Sequence, residues 1–162
     1  MASVYLETTI PSYLAARPSR DLVVAAHQQI THDWWDNAKN RFDLYISEAV
    51  LDEIRRGDPV YAARRMEFVA ELNILKLTED VAFLIHEYSR RLGLVGPAAS
   101  DVPHFAFAVA YNIDYLVTWN CKHIANGQVV RRLAKANQEI VRPMPIICTP
   151  EELLSEAPGE QS

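Results

Sequence analysis

Short apolar runs alternate with longer amphipathic stretches along the chain. Residues 42–47 alternate with the two-residue period of a strand, whereas apolar residues within 81–92 recur at the spacing of one helix face. The same comparison predicts short strands at 3–6, 42–47, 73–77, 115–118 and 145–148, with helical stretches between them. Strands that alternate with helices predict a three-layer α/β fold, in which helices flank a mainly parallel central sheet.

Polar side chains follow two of the predicted strands directly. Glu7 follows the first strand, and Thr118 and Asn120 lie at the end of the fourth. Because right-handed crossovers bring the carboxyl ends of parallel strands to one edge of the sheet, we expect these side chains to lie together. Glu53, on the helix after the second strand, and Asp101, at the start of a later helix, can reach the same edge.

Each acidic residue also has an ordinary structural explanation. Glu7 could be a plain loop residue, and Glu53 could be partly exposed and bonded to a nearby arginine. Asp101 taken alone is better explained as a helix cap, because the free N–H groups at a helix start stabilise a carboxylate. His104, one turn after Asp101, is expected to pack or form a hydrogen bond rather than to act in catalysis.

Composition sets limits on the class of protein. The 162 residues, 49% hydrophobic and 23% charged, suggest one globular domain, which we assign to 1–154, followed by a disordered tail at 155–162. A net charge of -5 argues against broad electrostatic binding to nucleic acid but suits an acidic pocket that holds cations. Two distant cysteines, no signal-peptide pattern and no membrane-length apolar stretch predict a cytoplasmic protein with no membrane partner.

Three local patterns together resemble the PIN-domain family of metal-dependent ribonucleases, and especially its VapC-like toxins of bacterial type II toxin–antitoxin pairs. The first, at 4–9, is similar to the family's strand that ends in Asp-Thr-Ser. The second, at 46–54, is similar to the segment whose last glutamate binds metal. The third joins the aspartate-led helix at 101–108 to the strand end at 114–120. Their order and spacing make the resemblance fairly specific, and it covers the chain from Val4 to about Pro150.

The resemblance implies an endoribonuclease that hydrolyses RNA phosphodiester bonds with Mg²⁺ or Mn²⁺. The family's four acidic metal positions fall on Glu7, Glu53, Asp101 and Asn120. Glu7 is one methylene longer than the usual aspartate, and Asn120 is a neutral amide in place of the last one. Our hypothesis is that Glu7 and Asp101 hold the main ion and that Glu53 contributes directly or through water. Asn120, as a neutral oxygen ligand, and Thr118 would orient a water or a phosphate oxygen.

The same resemblance implies partners as well as a reaction. It implies a cognate antitoxin protein and a homodimer. The apolar residues Tyr13, Trp34 and Trp35 could form a docking surface, although core packing explains much of their apolar character. Basic residues near the acidic positions, Arg56 and Lys122 among them, could contact RNA phosphates.

Two other functions stay open on the sequence alone. Glu7 and Asn120 favour a PIN-like module that binds RNA or protein without cutting it. A small-molecule enzyme of flavodoxin-like shape is less well supported, because the segment 8–11 after the first strand contains no glycine for a phosphate loop.

Overall fold

The computed structural model describes residues 1–154, so the predicted tail at 155–162 lies outside the described residues. Five strands form one sheet in the order β3-β2-β1-β4-β5, and all four pairings are parallel. The strands are β1 (Ala2–Leu6), β2 (Phe42–Ser47), β3 (Asn73–Leu75), β4 (Tyr115–Val117) and β5 (Ile146–Cys148). The predicted α/β class and parallel sheet are confirmed.

Helices cover both faces of the sheet and complete the predicted three layers. The α-helices within residues 1–154 are α1 (Thr9–Ala15), α2 (Leu22–Arg41), α3 (Glu48–Ile54), α4 (Pro59–Val69), α5 (Glu79–Arg91), α6 (Val102–Ala110) and α7 (Gly127–Glu139). Two 3-10 helices, Gly96–Asp101 and Pro150–Leu153, precede α6 and follow β5. No helix in this part of the chain combines the length and apolar character that crossing a membrane requires.

Short polar side chains fix where several helices begin. Asp21 accepts hydrogen bonds from the backbone N–H groups of Val23 and Val24, and Ser47 accepts one from Val50. Such bonds satisfy amide hydrogens that have no partner within the helix. The cap of α3 matters for the site, because Ser47 also ends β2 and therefore joins strand and helix without a loop.

The central strand β1 is buried between β2 and β4, and its carboxyl end leads into the site. Val4, Tyr5 and Leu6 are completely buried, as expected for a parallel strand covered on both faces. Leu6 pairs with Val117 in β4, and the Glu7 N–H donates to the Val117 carbonyl at 3.0 Å. This register places the residues after β1 and β4 side by side at the carboxyl edge of the sheet.

The amino edge of the sheet is fixed by a separate contact. Asp114, which precedes β4, accepts hydrogen bonds from the backbone N–H and the hydroxyl of Ser3 at 2.9 and 3.1 Å. Asp114 therefore lies at the opposite edge of the sheet from Glu7, as its position before the strand predicts.

Candidate metal centre

Glu7 is a buried carboxylate with one oxygen fully occupied. Its side chain is 3% exposed, and Oε1 accepts from the Thr9 N–H (3.1 Å), the Thr9 hydroxyl (2.6 Å) and the Thr118 hydroxyl (2.7 Å). Oε2 accepts no hydrogen bond from the described residues. The three donors therefore hold Glu7 in one orientation and leave Oε2 as the oxygen free to bind a ligand.

Glu53 meets the site from the last turn of α3. Its Oε1 is 2.8 Å from Nε2 of His104, which is completely buried on α6. Burial alone would raise the pKa of Glu53, but the hydrogen bond and the charge of His104 outweigh it, so the pKa is lowered. The alternative explanation, in which Glu53 is bonded to a nearby arginine, is therefore wrong. The hydrogen-bond partner of Glu53 is His104, and Arg56 affects the pKa of Glu53 only through its charge.

Asp101 lies at the start of α6 but does not cap it. Its side chain accepts no capping hydrogen bond, and Oδ2 instead accepts from Nδ2 of Asn120 at 3.2 Å. The helix-cap explanation of Asp101 is therefore wrong. Burial raises the pKa of Asp101, and the negative charges of Glu7 and Glu53 raise it further. The three carboxylates are thus close enough to repel one another.

Asn120 faces the acidic residues with its amide hydrogens. Its Oδ1 accepts the backbone N–H of His123 at 2.9 Å, and this donor fixes which end of the amide is the oxygen. The NH₂ group consequently points to Asp101, while the Asn120 backbone N–H donates to the Thr118 hydroxyl at 2.9 Å. This arrangement differs from the expected neutral oxygen ligand: Asn120 holds Asp101 in place as a donor.

The donor set fits a divalent cation. One donor atom from each of Glu7, Glu53 and His104 lies within 4.8 Å of the others. The hydroxyl of Thr8, beside Glu53, is buried and makes no hydrogen bond of ordinary geometry with the described residues, although it is near enough to help lower the pKa of Glu53. Carboxylate oxygens suit Mg²⁺ or Mn²⁺, whereas both ring nitrogens of His104 already have hydrogen-bond partners, Tyr5 and Glu53.

A cleft of about 490 Å³ opens beside this cluster, with Thr8, Glu53 and Asp101 in its wall. Its basic member is Arg56, whose positive charge also lowers the pKa of Glu53. The cleft is lined by Thr8, Ala49, Asp52, Glu53, Arg56, Ser100, Asp101 and Pro103. An open cleft with carboxylates and an arginine can receive a phosphate group together with a cation.

The structure brings together all five residues that the sequence analysis selected, and adds His104 to them. Glu7, Thr118, Asn120 and Asp101 form one hydrogen-bonded series, and Glu53 joins through charge and through His104. His104 was expected only to pack or form a hydrogen bond, and it makes the hydrogen bond to a site carboxylate. The sequence feature that could have placed His104 in the site is its position three residues after Asp101, one helical turn along.

Aromatic rings pack next to the site, and core packing accounts for one of the three residues considered for a docking surface. Trp34 is 1% exposed and belongs to the core, so it cannot form part of such a surface. Tyr13 stacks on Trp119 with ring centroids 6.2 Å apart, and His27 stacks on the same tryptophan at 4.0 Å. This stack fixes Trp119, which joins Thr118 to Asn120, between α1 and α2.

The fold and the site define a three-layer α/β protein with an acidic cleft at the carboxyl edge of a parallel sheet. No protein-family model matches the sequence, and no curated protein matches it. A chain in the crystal structure of VapBC2 from Rickettsia felis, bound to a DNA fragment from their promoter, has a similar fold. The TM-score is 0.58 and the identity 17%, and the match covers 90% of this chain and 97% of that chain. Similarity at this identity shows the fold alone.

Proposed function

We propose that the protein is a PIN-type, metal-dependent endoribonuclease that hydrolyses RNA phosphodiester bonds. The observation that carries this proposal is the clustering of the Glu7, Glu53 and Asp101 carboxylates at the carboxyl edge of the sheet, where Glu53 and Asp101 line a cleft. We further propose that it is the toxin of a type II toxin–antitoxin pair. The fold similarity to a chain of VapBC2 supports that part, together with the VapC-like order of the sequence patterns.

Electrostatics explains why this cluster would take up a cation. Burial and the negative charges of Glu7 and Glu53 raise the pKa of Asp101, which means that the ionised carboxylates repel one another. Oε2 of Glu7 is the oxygen with no other partner, and Glu53 and Asp101 would complete the carboxylate ligands. Bound Mg²⁺ or Mn²⁺ would supply an activated water and offset charge on the phosphate.

The remaining groups would orient these ligands and the substrate. Thr118 donates to Glu7 and Asn120 donates to Asp101, so both hold carboxylates rather than bind metal themselves. Arg56, on the cleft wall, would contact a phosphate, for which its planar guanidinium is well suited. Because the fourth family position supplies an amide N–H, we propose one ion rather than two.

Cleavage assays with matched variants test the proposal. Purified protein with Mn²⁺ should cleave RNA, and Asp101→Asn and Glu53→Gln should each lose most of that activity. Glu71→Gln is the control: it removes the same charge from an exposed residue near the start of β3. Equal cleavage by the wild type and Asp101→Asn would show that the site assignment is wrong.

The second candidate is a PIN-like module that binds RNA or a protein without cutting it. The observation that favours it is Asn120, whose NH₂ group replaces a ligand oxygen at the acidic cluster. Calorimetry separates the two functions. The nuclease should bind Mn²⁺ and lose it in Glu53→Gln, whereas a non-catalytic module should bind RNA without detectable Mn²⁺.

The toxin assignment has its own test. A cognate antitoxin should be a small protein that co-purifies with this chain and relieves the growth inhibition caused by its expression. The proposed homodimer should appear in light scattering of the isolated chain. If expression of this protein leaves growth unaffected while the purified protein cleaves RNA with Mn²⁺, the toxin role is wrong and the nuclease function stands.

A further inference from the structure

A buried series of hydrogen bonds runs from the start of α3 to the carboxylate in its last turn. The Val50 N–H donates to the Ser47 hydroxyl at 3.3 Å, and that hydroxyl lies 2.7 Å from the Tyr5 hydroxyl. The Tyr5 hydroxyl lies 2.7 Å from Nδ1 of His104, whose Nε2 is 2.8 Å from Oε1 of Glu53. Ser47, Tyr5 and His104 are all completely buried.

The carboxylate end of this series determines which nitrogen of His104 donates to Glu53. The ionised carboxylate of Glu53 can only accept, so Nε2 of His104 must carry a hydrogen. Nδ1 of His104 forms the hydrogen bond with the Tyr5 hydroxyl, so both ring nitrogens have a partner. The Tyr5 hydroxyl is also hydrogen-bonded to the Ser47 hydroxyl, which accepts from the Val50 N–H. The imidazole is therefore held at both nitrogens, and its Nε2 hydrogen is directed at Glu53.

We propose that Tyr5 and His104 are positioning residues, which hold one oxygen of Glu53 so that the other is presented to the metal ion. This inference rests on the proposed nuclease function, because it assigns the series to that site. Tyr5 anchors the far nitrogen of the imidazole, so the ring cannot rotate and its Nε2 hydrogen stays aimed at Glu53. His104 thus acts through Glu53 rather than as a ligand of the ion.

The alternative is a hydrogen-bonded core that only stabilises the fold. Two features favour positioning. The series ends on a carboxylate that is 29% exposed to the cleft, whereas a purely structural network would end on another buried group. The protein also contains a buried tyrosine of the latter kind: the hydroxyl of Tyr88 donates to Asn137, away from the cleft. Tyr88 therefore provides a matched comparison for Tyr5.

Mn²⁺ titration calorimetry with four variants distinguishes these roles. Loss of partners that hold a metal ligand typically weakens metal binding about 10–100-fold, so His104→Leu should fall in that range. His104→Gln should bind Mn²⁺ nearly as well as the wild type, because its NH₂ group can replace the Nε2 hydrogen. Tyr5→Phe should weaken binding by about tenfold, at the lower end of the same range. Tyr88→Phe should leave affinity unchanged while lowering the melting temperature.

A double variant supplies the decisive readout. An amide has no tautomer and no second ring nitrogen to anchor, so Tyr5→Phe should weaken Mn²⁺ binding much less in the His104→Gln background than in the wild type. A purely structural Tyr5 would have the same effect in both backgrounds, which would overturn the proposal. If Tyr5→Phe does not fold, the comparison between His104→Gln and His104→Leu tests the proposal instead. An equal loss of Mn²⁺ affinity in these two variants would also overturn it.

The result for the unmodified protein separates this inference from the function beneath it. If the wild type binds Mn²⁺ and Tyr5→Phe binds it equally well, the positioning role is wrong and the metal site stands. If the wild type does not bind Mn²⁺, both the metal site and the positioning role are wrong.

Discussion

At Asn120, one hydrogen bond determines whether the side chain offers an oxygen or an N–H group to the site. Its sequence position suggests an oxygen ligand, but the His123 N–H occupies Oδ1 and turns the NH₂ group toward Asp101. The amide donates where the PIN-domain pattern that the sequence resembles has a carboxylate. A carboxylate at this position would face Asp101, whose pKa is already raised by burial and by neighbouring charges.

Asn120→Asp should therefore destabilise the metal-free protein and strengthen its metal binding. The substitution removes a donor to Asp101 and adds a like charge, at an expected cost of about 1–3 kcal/mol in the free energy of unfolding. Saturating Mn²⁺ should return most of that loss, because a ligand that binds only the folded state stabilises it. Chemical denaturation with and without Mn²⁺ measures both effects.

Asn112→Asp is the control for this experiment. Asn112 is exposed in the turn between α6 and β4, outside the cleft, so its substitution should change unfolding little and leave the Mn²⁺ response as in the wild type. An Asn120→Asp protein that is as stable as the wild type without metal would show that Asn120 does not hold Asp101.

At the scale of elements, the sequence predicts type and order well and local hydrogen bonding poorly. Periodicity locates the buried side of α5, where Val81, Leu84 and Tyr88 are completely buried. Gly57, with φ at 85°, lies in the turn after α3, which itself ends at Ile54. The third strand is shorter than predicted and ends at Leu75. Taken alone, Asp101 is wrongly explained as a helix cap, because a cap and a site residue give the same local pattern until the position of Asn120 is known.

One ion pair connects elements that are distant in sequence, and its contribution should depend on pH. Arg142, after α7, donates to both oxygens of Asp80 in the first turn of α5, at 2.9 and 2.5 Å. The hydrogen bond from Arg142 lowers the pKa of Asp80. A carboxylate with a lowered folded-state pKa stabilises the fold above its unfolded pKa, and this stabilisation is lost as pH falls through the folded pKa.

Asp80→Asn should consequently destabilise the protein at neutral pH and much less in acid. The pair is partly exposed, so we expect a loss of about 0.2–1 kcal/mol in the free energy of unfolding at pH 7. Urea denaturation of both proteins from pH 7 down to below the pKa of Asp80 measures the difference. A gap between the two curves that stays constant over this range would contradict the assigned ion pair.

For the whole molecule, the architecture follows from the sequence because parallel topology leaves few alternatives. Once five strands alternate with helices, the residues after β1 and β4 must share an edge, so Glu7 and Thr118 could be placed together from the sequence. The contribution of His104 could not, since it depends on Tyr5 of β1 and Glu53 of α3 meeting α6 in space. Periodicity reports the buried face of a helix and not the partners found there.

The molecule as a whole carries a net charge of -5, so any affinity for RNA must come from a few local contacts. The proposed nuclease should then bind single-stranded RNA with a shallow salt dependence. Each phosphate contact adds about 0.7 to the slope of log K against log salt concentration, so Arg56→Gln should reduce the slope by about that amount. Fluorescence anisotropy in the Asp101→Asn background, which we expect not to cleave, measures the slope.

Arg131→Gln makes the same change of charge on the exposed surface of α7 and should leave the slope as it is. The comparison matters because net charge alone predicts the same small effect for both arginines. A slope that falls equally in the two variants would mean that RNA responds to the overall charge of the protein. A fall confined to Arg56→Gln would identify the acidic cleft as the place where the phosphate backbone binds.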